Sequence, residues 1–270
     1  MADTFRLTLA QLNPVVGDLP GNAAKAKAAW EEGRAQGADL LVCPEMSLTG
    51  YQIGADRVAA IAEPADGPLA QAVAAIAQRH RIAIVFGYPE CHPQGEKPFN
   101  AAQFIDAGGQ RLANYRKTHL FGDIDRAQFS PGEAAPTVFA WNGWRLGLLS
   151  CYDIEFPEPA RALALQGTDA ILVPTANMIE FDEVQRVLLP ARALENRVCV
   201  AYANACGTEG ATRYGGLSSV LGPKGDALAQ GERDESLLLA TLSRADLQTA
   251  RTGSQLPDRR VDLDGPAPPA

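Results

Sequence analysis

The chain of 270 residues has few cysteines, few histidines and no long apolar segment, and each shortage excludes a class of protein. Its apolar runs are far shorter than the ~20 residues of a membrane-spanning helix, so no membrane partner is expected. Residues 1–20 lack the basic start and apolar core of a secretion signal, and we therefore expect a cytoplasmic protein. Five cysteines without a CxxC pair, and three histidines without an HxxxH pattern, argue against a metal site and a disulfide framework.

Positive charge is scarce as well, because 24 lysines and arginines face 32 aspartates and glutamates, giving a formal net charge of -8. Such a surface does not attract polyanions, so nucleic acid is not an expected partner. No GxGxxG motif follows the first apolar strand, which argues against a dinucleotide-binding fold. What the chain does contain is 46% hydrophobic residues, enough for a large core and too many for a disordered chain.

Strand and helix patterns alternate along most of the chain. Short apolar or alternating runs predict strands at 5–12, 40–43, 82–88, 101–106, 111–115, 170–174, 198–204, 216–221 and 235–242. Helical periodicity with glycine or proline boundaries predicts helices at 21–36, 67–80, 157–166 and 182–196. The dipeptide Asn142-Gly143 predicts a β-hairpin with a type I′ turn, and we expect the flanking Trp141 and Trp144 to pack in the core.

No repeat, low-complexity block or linker divides these elements. Strands punctuated by helices indicate an α/β fold in which helices cover a mixed sheet, although the pattern leaves open whether there is one sheet or two. We predict a single domain over residues 1–253, followed by a C-terminal arm or tail at 254–270 that ends in GPAPPA.

Three reactive side chains each follow directly on an apolar strand, where α/β folds place their ligands. Glu45 follows LLVCP, Lys117 follows the strand at 111–115, and Cys151 ends WRLGLLSC. Cys151 lies ahead of the helix predicted at 157–166, where a helix N-terminus would lower the pKa of its thiol and favour the nucleophilic thiolate. Acyl transfer needs a nucleophile, a base and a donor to the oxyanion, and these three residues supply them. The other cysteines are interpreted as small buried apolar residues: Cys43, Cys91, Cys199 and Cys206.

The segments around these residues resemble the nitrilase superfamily of carbon–nitrogen hydrolases, from about residue 5 to residue 245. The resemblance rests on LLVCPEMSLTGY (40–51), YRKTHLFG (115–122) with FSPGE (129–133), LLSCYDIEFPE (148–158), and LVPTANM (172–178) with ARALEN (191–196). It implies a four-layer αββα sandwich of two mixed sheets with outer helices. It also implies a homodimer or a larger homo-oligomer.

The resemblance implies a role for each reactive residue. Glu45 would be the general base and Cys151 the nucleophile that forms a thioester. Lys117 and the backbone N–H of Tyr152 would hold the oxyanion. No metal or organic cofactor is needed for this chemistry.

Further site residues follow from the same resemblance. Family members carry a second acid after the lysine, and alignment on the PG of FSPGE puts Asp125 there, with Asp123 as the rival. Tyr51 and Asn177 are candidates for the wall of the substrate pocket. The alternatives are that Tyr51 packs on its own loop and that Asn177 caps the next helix.

The motifs most resemble those of 5-aminopentanamidase-type and R-stereoselective bacterial amidases. The implied reaction is hydrolysis of a small aliphatic or amino-substituted carboxamide to the acid and ammonia. A nitrilase, an N-carbamoyl hydrolase resembling β-ureidopropionase and an omega-amidase use the same triad and are alternatives. Relatives with carboxylate substrates tend to carry Arg where this chain has Glu155, so Glu155 should repel an anionic substrate and attract an ammonium group. The alternative is that Glu155 caps or salt-bridges the following helix.

Overall fold

The computed structural model describes residues 3–264, whose strands and helices follow the apolar segments of the sequence. The strands are β1 (Thr4–Gln11), β2 (Leu40–Val42), β3 (Ala83–Glu90), β4 (Phe99–Ile105), β5 (Arg111–Arg116), β6 (Val138–Trp141), β7 (Trp144–Leu148), β8 (Ala170–Thr175), β9 (Cys199–Asn204), β10 (Thr208–Glu209), β11 (Thr212–Arg213), β12 (Ser219–Leu221), β13 (Ala227–Gln230) and β14 (Ser236–Ser243). The helices are α1 (Leu19–Ala35), α2 (Ala55–Ile61), α3 (Pro68–His80), α4 (Gly122–Gln128), α5 (Pro157–Leu165), α6 (Leu189–Asn196), α7 (Arg244–Arg251) and α8 (Val261–Asp264). Short 3₁₀ turns lie at Cys151–Glu155, Ile179–Phe181 and Leu256–Asp258, and a π-helical turn lies at Val184–Leu188.

The strands form two six-stranded mixed sheets. The first has the order β14-β1-β2-β3-β4-β5 and the second the order β13-β12-β9-β8-β7-β6. Parallel pairing is confined to β1, β2 and β3 in the first sheet and to β7, β8 and β9 in the second. The short strands β10 and β11 form a hairpin of their own.

Aromatic side chains fill the space between the two sheets. Phe5 of β1 packs edge-on against Trp141 and Trp144, with ring centroids at 5.2 and 4.8 Å. Phe104 of β4 lies 5.0 Å from the ring of Phe139 in β6. Helices α1 and α3 pack on the outer face of the first sheet, and α5 and α6 pack on the second. The predicted four-layer αββα sandwich is confirmed, as is the core position of both tryptophans.

The hairpin that leads to Cys151 forms as predicted. Asn142 and Gly143 both have positive φ angles, 49° and 81°, as a type I′ turn requires. Trp141 and Trp144 are paired directly across the turn. This register fixes β7, whose end leads into Cys151.

The carboxyl ends of β2, β5, β7 and β8 meet at one edge of the sandwich. The Glu45 N–H, beyond β2, donates to the Thr175 carbonyl of β8 at 3.3 Å and so joins the two sheets. Beyond β7, the Leu149 N–H donates to the Leu172 carbonyl of β8 at 3.1 Å. Side chains that follow these strands are thereby brought together from distant parts of the sequence.

The C-terminal arm predicted at 254–270 begins beyond α7. Its first part forms the 3₁₀ turn and α8, whereas residues 265–270 lie outside the described part of the chain. None of the helices in residues 3–264 is long and apolar enough to cross a membrane. All five cysteines are free thiols, and four are buried, but Cys91 is exposed. The prediction of a buried position is therefore wrong for Cys91, which lies in the loop after β3.

Candidate active site

Glu45 is buried beyond β2, and its two carboxylate oxygens have different surroundings. Oε1 accepts from Asn100 Nδ2 at 2.6 Å and from Lys117 Nζ at 2.9 Å. Oε2 is buried without a hydrogen-bond partner among the described residues. The backbone of Glu45 and Met46 packs closely against β3, where Gly87 leaves the necessary space, since a Cβ there would lie 2.8 Å from the Met46 nitrogen. Two donors thus fix one carboxylate oxygen, whereas the other has no donor among the described residues.

Lys117 follows β5 and is fully buried between two carboxylates. Its Nζ lies 2.9 Å from Glu45 Oε1 and 2.7 Å from Asp125 Oδ2. Burial alone would lower the pKa of Lys117, but the charge of Glu45 reverses this effect, and the pKa is raised well above its usual value. The side chain therefore stays an ammonium group, with the ring of Tyr51 centred 5.6 Å away.

Asp125, and not Asp123, is the acid that the fold brings to the lysine. Asp125 is buried in the first turn of α4 and accepts from the Tyr51 hydroxyl at 2.6 Å and from the Phe121 N–H at 2.9 Å. Asp123 is exposed, and its one ion pair within residues 3–264 is with Arg126 on the same helix, at 3.5 Å. Tyr51 is itself buried, so in this structure its hydroxyl orients Asp125.

Cys151 occupies a strained position at the start of a 3₁₀ turn. Its φ of 46° lies in the left-handed region, which non-glycine residues adopt at a cost and which is common at functional sites. The turn is fixed by a capping box in which Ser150 and Asp153 bond each other's backbone. The Thr175 side chain and the Ala176 backbone act to lower the pKa of the Cys151 thiol, against the larger effect of burial.

The expectation of a lowered thiol pKa is wrong. Burial and the charge of Glu45 raise the pKa of Cys151, against the opposing effect of Lys117. A five-residue 3₁₀ turn separates Cys151 from the start of α5 at Pro157, so little helix dipole acts on the sulfur. Burial also raises the pKa of Glu45, which Lys117 opposes and Asp125 reinforces. A protonated thiol therefore faces a carboxylate with an increased affinity for protons.

Tyr152 provides a backbone N–H directly after the nucleophile. As the second residue of the 3₁₀ turn, it has no acceptor for this N–H within the turn. Its ring packs edge-on against Phe121 and Phe156, with centroids at 5.3 and 4.9 Å. The N–H direction is thus set by a rigid turn, as an oxyanion donor requires.

Glu155 ends the same turn, and the charge of Lys117 acts on its carboxylate. Lys117 belongs to the catalytic cluster, which is formed by Glu45, Lys117, Asp125 and Cys151. Its side chain is half-buried and makes no hydrogen bond or ion pair within the described residues, and α5 is capped at Phe156 without it. The alternative of a helix cap or salt bridge has no support in these contacts. Burial raises the pKa of Glu155 to about 7, with Lys117 lowering it and Glu183 raising it.

Asn177, in the loop after β8, uses its amide to bind the protein. Its Nδ2 donates to the Phe181 carbonyl at 3.1 Å and to Gln185 Oε1 at 3.2 Å. Its N–H donates to Asn204 Oδ1 at 2.7 Å. The amide donates to a carbonyl and does not accept from a helix N–H, and the turns at Ile179–Phe181 and Val184–Leu188 have no side-chain cap, so these contacts do not support the capping alternative. A contact of Asn177 with substrate stays a prediction.

Four buried polar residues around the cluster escaped the sequence analysis. They are Asn100, Asp153, Thr175 and Glu209. Two of them carried a signal, because Asn100 interrupts the apolar strand FNAAQFI and Thr175 ends AILVPT. A polar residue in a strand buried on both faces needs a partner. Asn100 donates to Glu45, and the Thr175 hydroxyl donates to that of Tyr202.

Known proteins match the chain over nearly its whole length. Residues 6–252 fit the model of the family described as carbon-nitrogen hydrolase. A Pseudomonas protegens protein described as "Hydrolase in pqqF 5'region" is 51% identical over 96% of this chain and 90% of its own length. An (R)-stereoselective amidase of Pseudomonas sp. is 38% identical over 84% of this chain and 81% of its own length.

Solved structures of an amidase from Nesterenkonia sp. AN1 share the fold. A glutamate-to-glutamine variant, with the acetamide moiety of fluoroacetamide on its active-site cysteine, superposes with a TM-score of 0.83 at 36% identity over 96% of this chain and 95% of that chain. A cysteine-to-alanine variant with butyramide gives 0.82 at 36% identity over the same shares, 96% and 95%. The resemblance of the sequence motifs is thereby confirmed, and the chain belongs to the carbon–nitrogen hydrolases of the nitrilase superfamily as an amidase-type hydrolase.

Proposed function

We propose that the chain hydrolyses small carboxamides to the acid and ammonia, with Cys151 as nucleophile and Glu45 as general base. Lys117 and the Tyr152 N–H are the donors to the oxyanion. The observation that carries this assignment is the asymmetry of the Glu45 carboxylate. Its Oε1 is held by Lys117 and Asn100, whereas Oε2 is buried and unpartnered among the described residues.

Acylation begins when the Cys151 sulfur attacks the amide carbon and Glu45 Oε2 takes the thiol proton. The carbonyl oxygen becomes an oxyanion, and each donor such as Lys117 Nζ typically stabilises it by ~3 kcal/mol. The C–N bond then breaks, Glu45 returns its proton to the leaving nitrogen, and ammonia departs. The product of this half-reaction is a thioester on Cys151.

Deacylation uses the same groups in reverse. Glu45 takes a proton from water as the water oxygen attacks the thioester carbon. The C–S bond breaks, the acid leaves, and the proton returns to Cys151. Because burial raises the pKa of Glu45, its carboxylate is a stronger base toward the thiol and toward water than an ordinary glutamate is.

Butyramide and butyronitrile test this function against that of a nitrilase, which uses the same triad. The Nesterenkonia amidase structures contain ligands derived from amides, which supports the amide assignment. We expect ammonia and butyrate from butyramide, and no ammonia above the enzyme-free control from butyronitrile. A matched N-carbamoyl amino acid and an omega-amide of a dicarboxylic acid complete the panel. Faster ammonia release from the nitrile, or turnover of the anionic compounds alone, would contradict the proposal.

Substrates with an ammonium group should be favoured by Glu155, which is half-buried and makes no ion pair among the described residues, although the charges of Lys117 and Arg192 act on its carboxylate. Glu155→Gln should raise KM for 5-aminopentanamide about tenfold, the equivalent of ~1.4 kcal/mol, and leave KM for pentanamide unchanged. Initial rates with the two amides measure this preference. Glu158→Gln, on the exposed start of α5, is the matched control and should change neither KM.

The same preference should depend on pH. A pKa of about 7 means that Glu155 is neutral below that pH and negative above it. The kcat/KM ratio of 5-aminopentanamide to pentanamide should therefore rise from about pH 6 to about pH 8, where the substrate amine stays protonated. An equal KM change for both amides in Glu155→Gln would remove Glu155 from substrate recognition.

We also propose a cytoplasmic homo-oligomer. Large apolar side chains are exposed on the helical layer outside the second sheet, Val187 at 59% and Leu194 at 45%, and burial against another copy would remove them from water. The free thiols, with Cys91 exposed, suit a reducing compartment. Sedimentation equilibrium should give at least twice the chain mass of 28.7 kDa. A monomer mass at micromolar concentration, or recovery of the native protein outside the cytoplasmic fraction, would contradict these two assignments.

A further inference from the structure

Glu209 is a buried carboxylate outside the catalytic cluster, in the β10–β11 hairpin. Its Oε1 accepts from the Tyr51 N–H at 2.9 Å, and its Oε2 accepts from the Gln52 N–H at 3.0 Å. The Tyr214 hydroxyl also donates to Oε2. Within residues 3–264, Glu209 has no ion-pair partner. Three neutral donors therefore hold one buried negative charge.

This arrangement is costly for a purely structural contact. Burying a carboxylate without a cation is unfavourable even when hydrogen bonds satisfy its oxygens. A neutral side chain would join the hairpin to the loop after β2 at lower cost. Exceptions to the rule that buried charges are paired with a cation concentrate at functional sites. The role of Glu209 therefore depends on which residues it contacts.

The connection from Glu209 leads to Lys117 through two side chains. Glu209 fixes the backbone of Tyr51, and the Tyr51 hydroxyl donates to Asp125 at 2.6 Å. Asp125 in turn lies 2.7 Å from Lys117 Nζ. The left-handed turn at Gly50 adds to the constraint, because a Cβ there would lie 2.7 Å from Glu209 Oε1. Each link in this series is a short contact between buried groups.

We propose that Glu209 is a positioning residue for catalysis, which sets the place of Lys117 through Tyr51 and Asp125. This inference rests on the proposed role of Lys117 in holding the oxyanion. In Glu209→Gln, the side-chain NH₂ group faces the backbone N–H of either Tyr51 or Gln52, and two donors cannot bond each other. Because these two residues are adjacent in the chain, the loop that carries Tyr51 shifts away. A misplacement of the order of 1 Å at a catalytic group can lower the rate by up to ~100-fold.

A double-mutant cycle separates positioning from general support of the fold. The four proteins are wild type, Glu209→Gln, Tyr51→Phe and the double variant, each assayed for kcat and KM on butyramide. Glu209→Gln should lower kcat about tenfold in the wild-type background, with KM changed less than twofold. Because Tyr51→Phe already breaks the link to Asp125, Glu209→Gln should lower kcat less than twofold in that background.

Equal factors in the two backgrounds, or an effect on KM alone, would overturn the inference. Thr212→Val is the matched control, since it removes the bond between Gln52 and Thr212 in the same hairpin and should leave kcat unchanged. If Glu209→Gln does not fold, the cycle is run with Glu209→Asp, which keeps the charge and should show the same loss of coupling to a smaller degree. If the wild type is active and the kcat reduction of the double variant equals the product of the two single reductions, only the role of Glu209 is refuted. An inactive wild type refutes the proposed function.

Discussion

Cys151→Ala is expected to abolish amide turnover while the fold persists. Removal of the nucleophile from a site that forms a covalent intermediate should lower kcat by at least ~10⁴-fold, leaving only what binding and the oxyanion donors provide. Cys151 is 7% exposed, and loss of its sulfur leaves a small cavity, so the free energy of unfolding should fall by only ~1 kcal/mol. Ammonia release and thermal unfolding measure the two effects.

The alanine variant should also keep its affinity for amides. The corresponding cysteine-to-alanine variant of the Nesterenkonia amidase contains intact butyramide, so binding and chemistry are separable in that relative. Cys199→Ala is the matched control, because Cys199 is also a buried free thiol but lies at the start of β9. It should retain wild-type turnover within about twofold. Residual hydrolysis by Cys151→Ala at the wild-type rate would mean that another group attacks the amide.

The long elements of the fold could be predicted from the sequence, whereas several short ones could not. Apolar periodicity and the turn at Asn142-Gly143 located the main strands and helices. Helices α2, α4 and α7 and strand β13 gave no such pattern. Helix α7 buries only Leu247 and Ala250, and β13 is mostly exposed at a sheet edge. Such elements depend on tertiary contacts more than on local preference.

The number of sheets lay beyond the sequence for a related reason. The pairing of β1 with β14 joins residues 4–11 to residues 236–243, and no local pattern encodes that contact. Phe5 against Trp144 across the two sheets is equally remote. Only the resemblance to a family supplied the four-layer arrangement before the structure did.

The sequence allowed prediction of the three reactive residues at strand ends, but not of the hydrogen bonds and ion pairs that join them. The positions of Glu45, Lys117 and Cys151 after apolar strands were visible in the sequence. Asn100 and Asp125 complete the cluster, and α4, which carries Asp125, had no helical pattern. The burial of Cys151 could not be inferred from the sequence, and this is why the prediction of a lowered thiol pKa was wrong. Charge state follows from the assembled site, since desolvation acts only after folding.

The charge balance of the cluster has a consequence for the base. Two carboxylates, Glu45 and Asp125, share the single ammonium group of Lys117 in a buried space. Burial raises the pKa of Glu45, and the negative charge of Asp125 raises it further. Burial and the charge of Glu45 likewise disfavour ionisation of the Cys151 thiol at rest. The site therefore depends on Glu45 to remove the thiol proton during attack.

Glu45→Gln should consequently lower kcat for butyramide by about 10³-fold, within the range for loss of a general acid and base. The Gln Oε1 still accepts from Lys117 and Asn100, so the fold should persist. Fluoroacetamide should still place an acetamide group on Cys151, detected by intact mass, as in the glutamine variant of the Nesterenkonia amidase. The control Glu90→Gln changes another buried carboxylate, at the end of β3, and should cost less than about threefold in kcat.

The pH dependence of kcat/KM offers a second test of Glu45 as the base. Hydrolysis needs Glu45 unprotonated, so kcat/KM of the wild type should fall as the pH drops through the raised pKa of Glu45. That acid limb should lie above ~4.3, the usual pKa of a glutamic acid, and should be absent from the residual activity of Glu45→Gln. A limb of the same midpoint in the variant would assign the titration to another group. Turnover within tenfold of wild type would remove Glu45 as the base, because no other group accepts the proton of Cys151 in this mechanism.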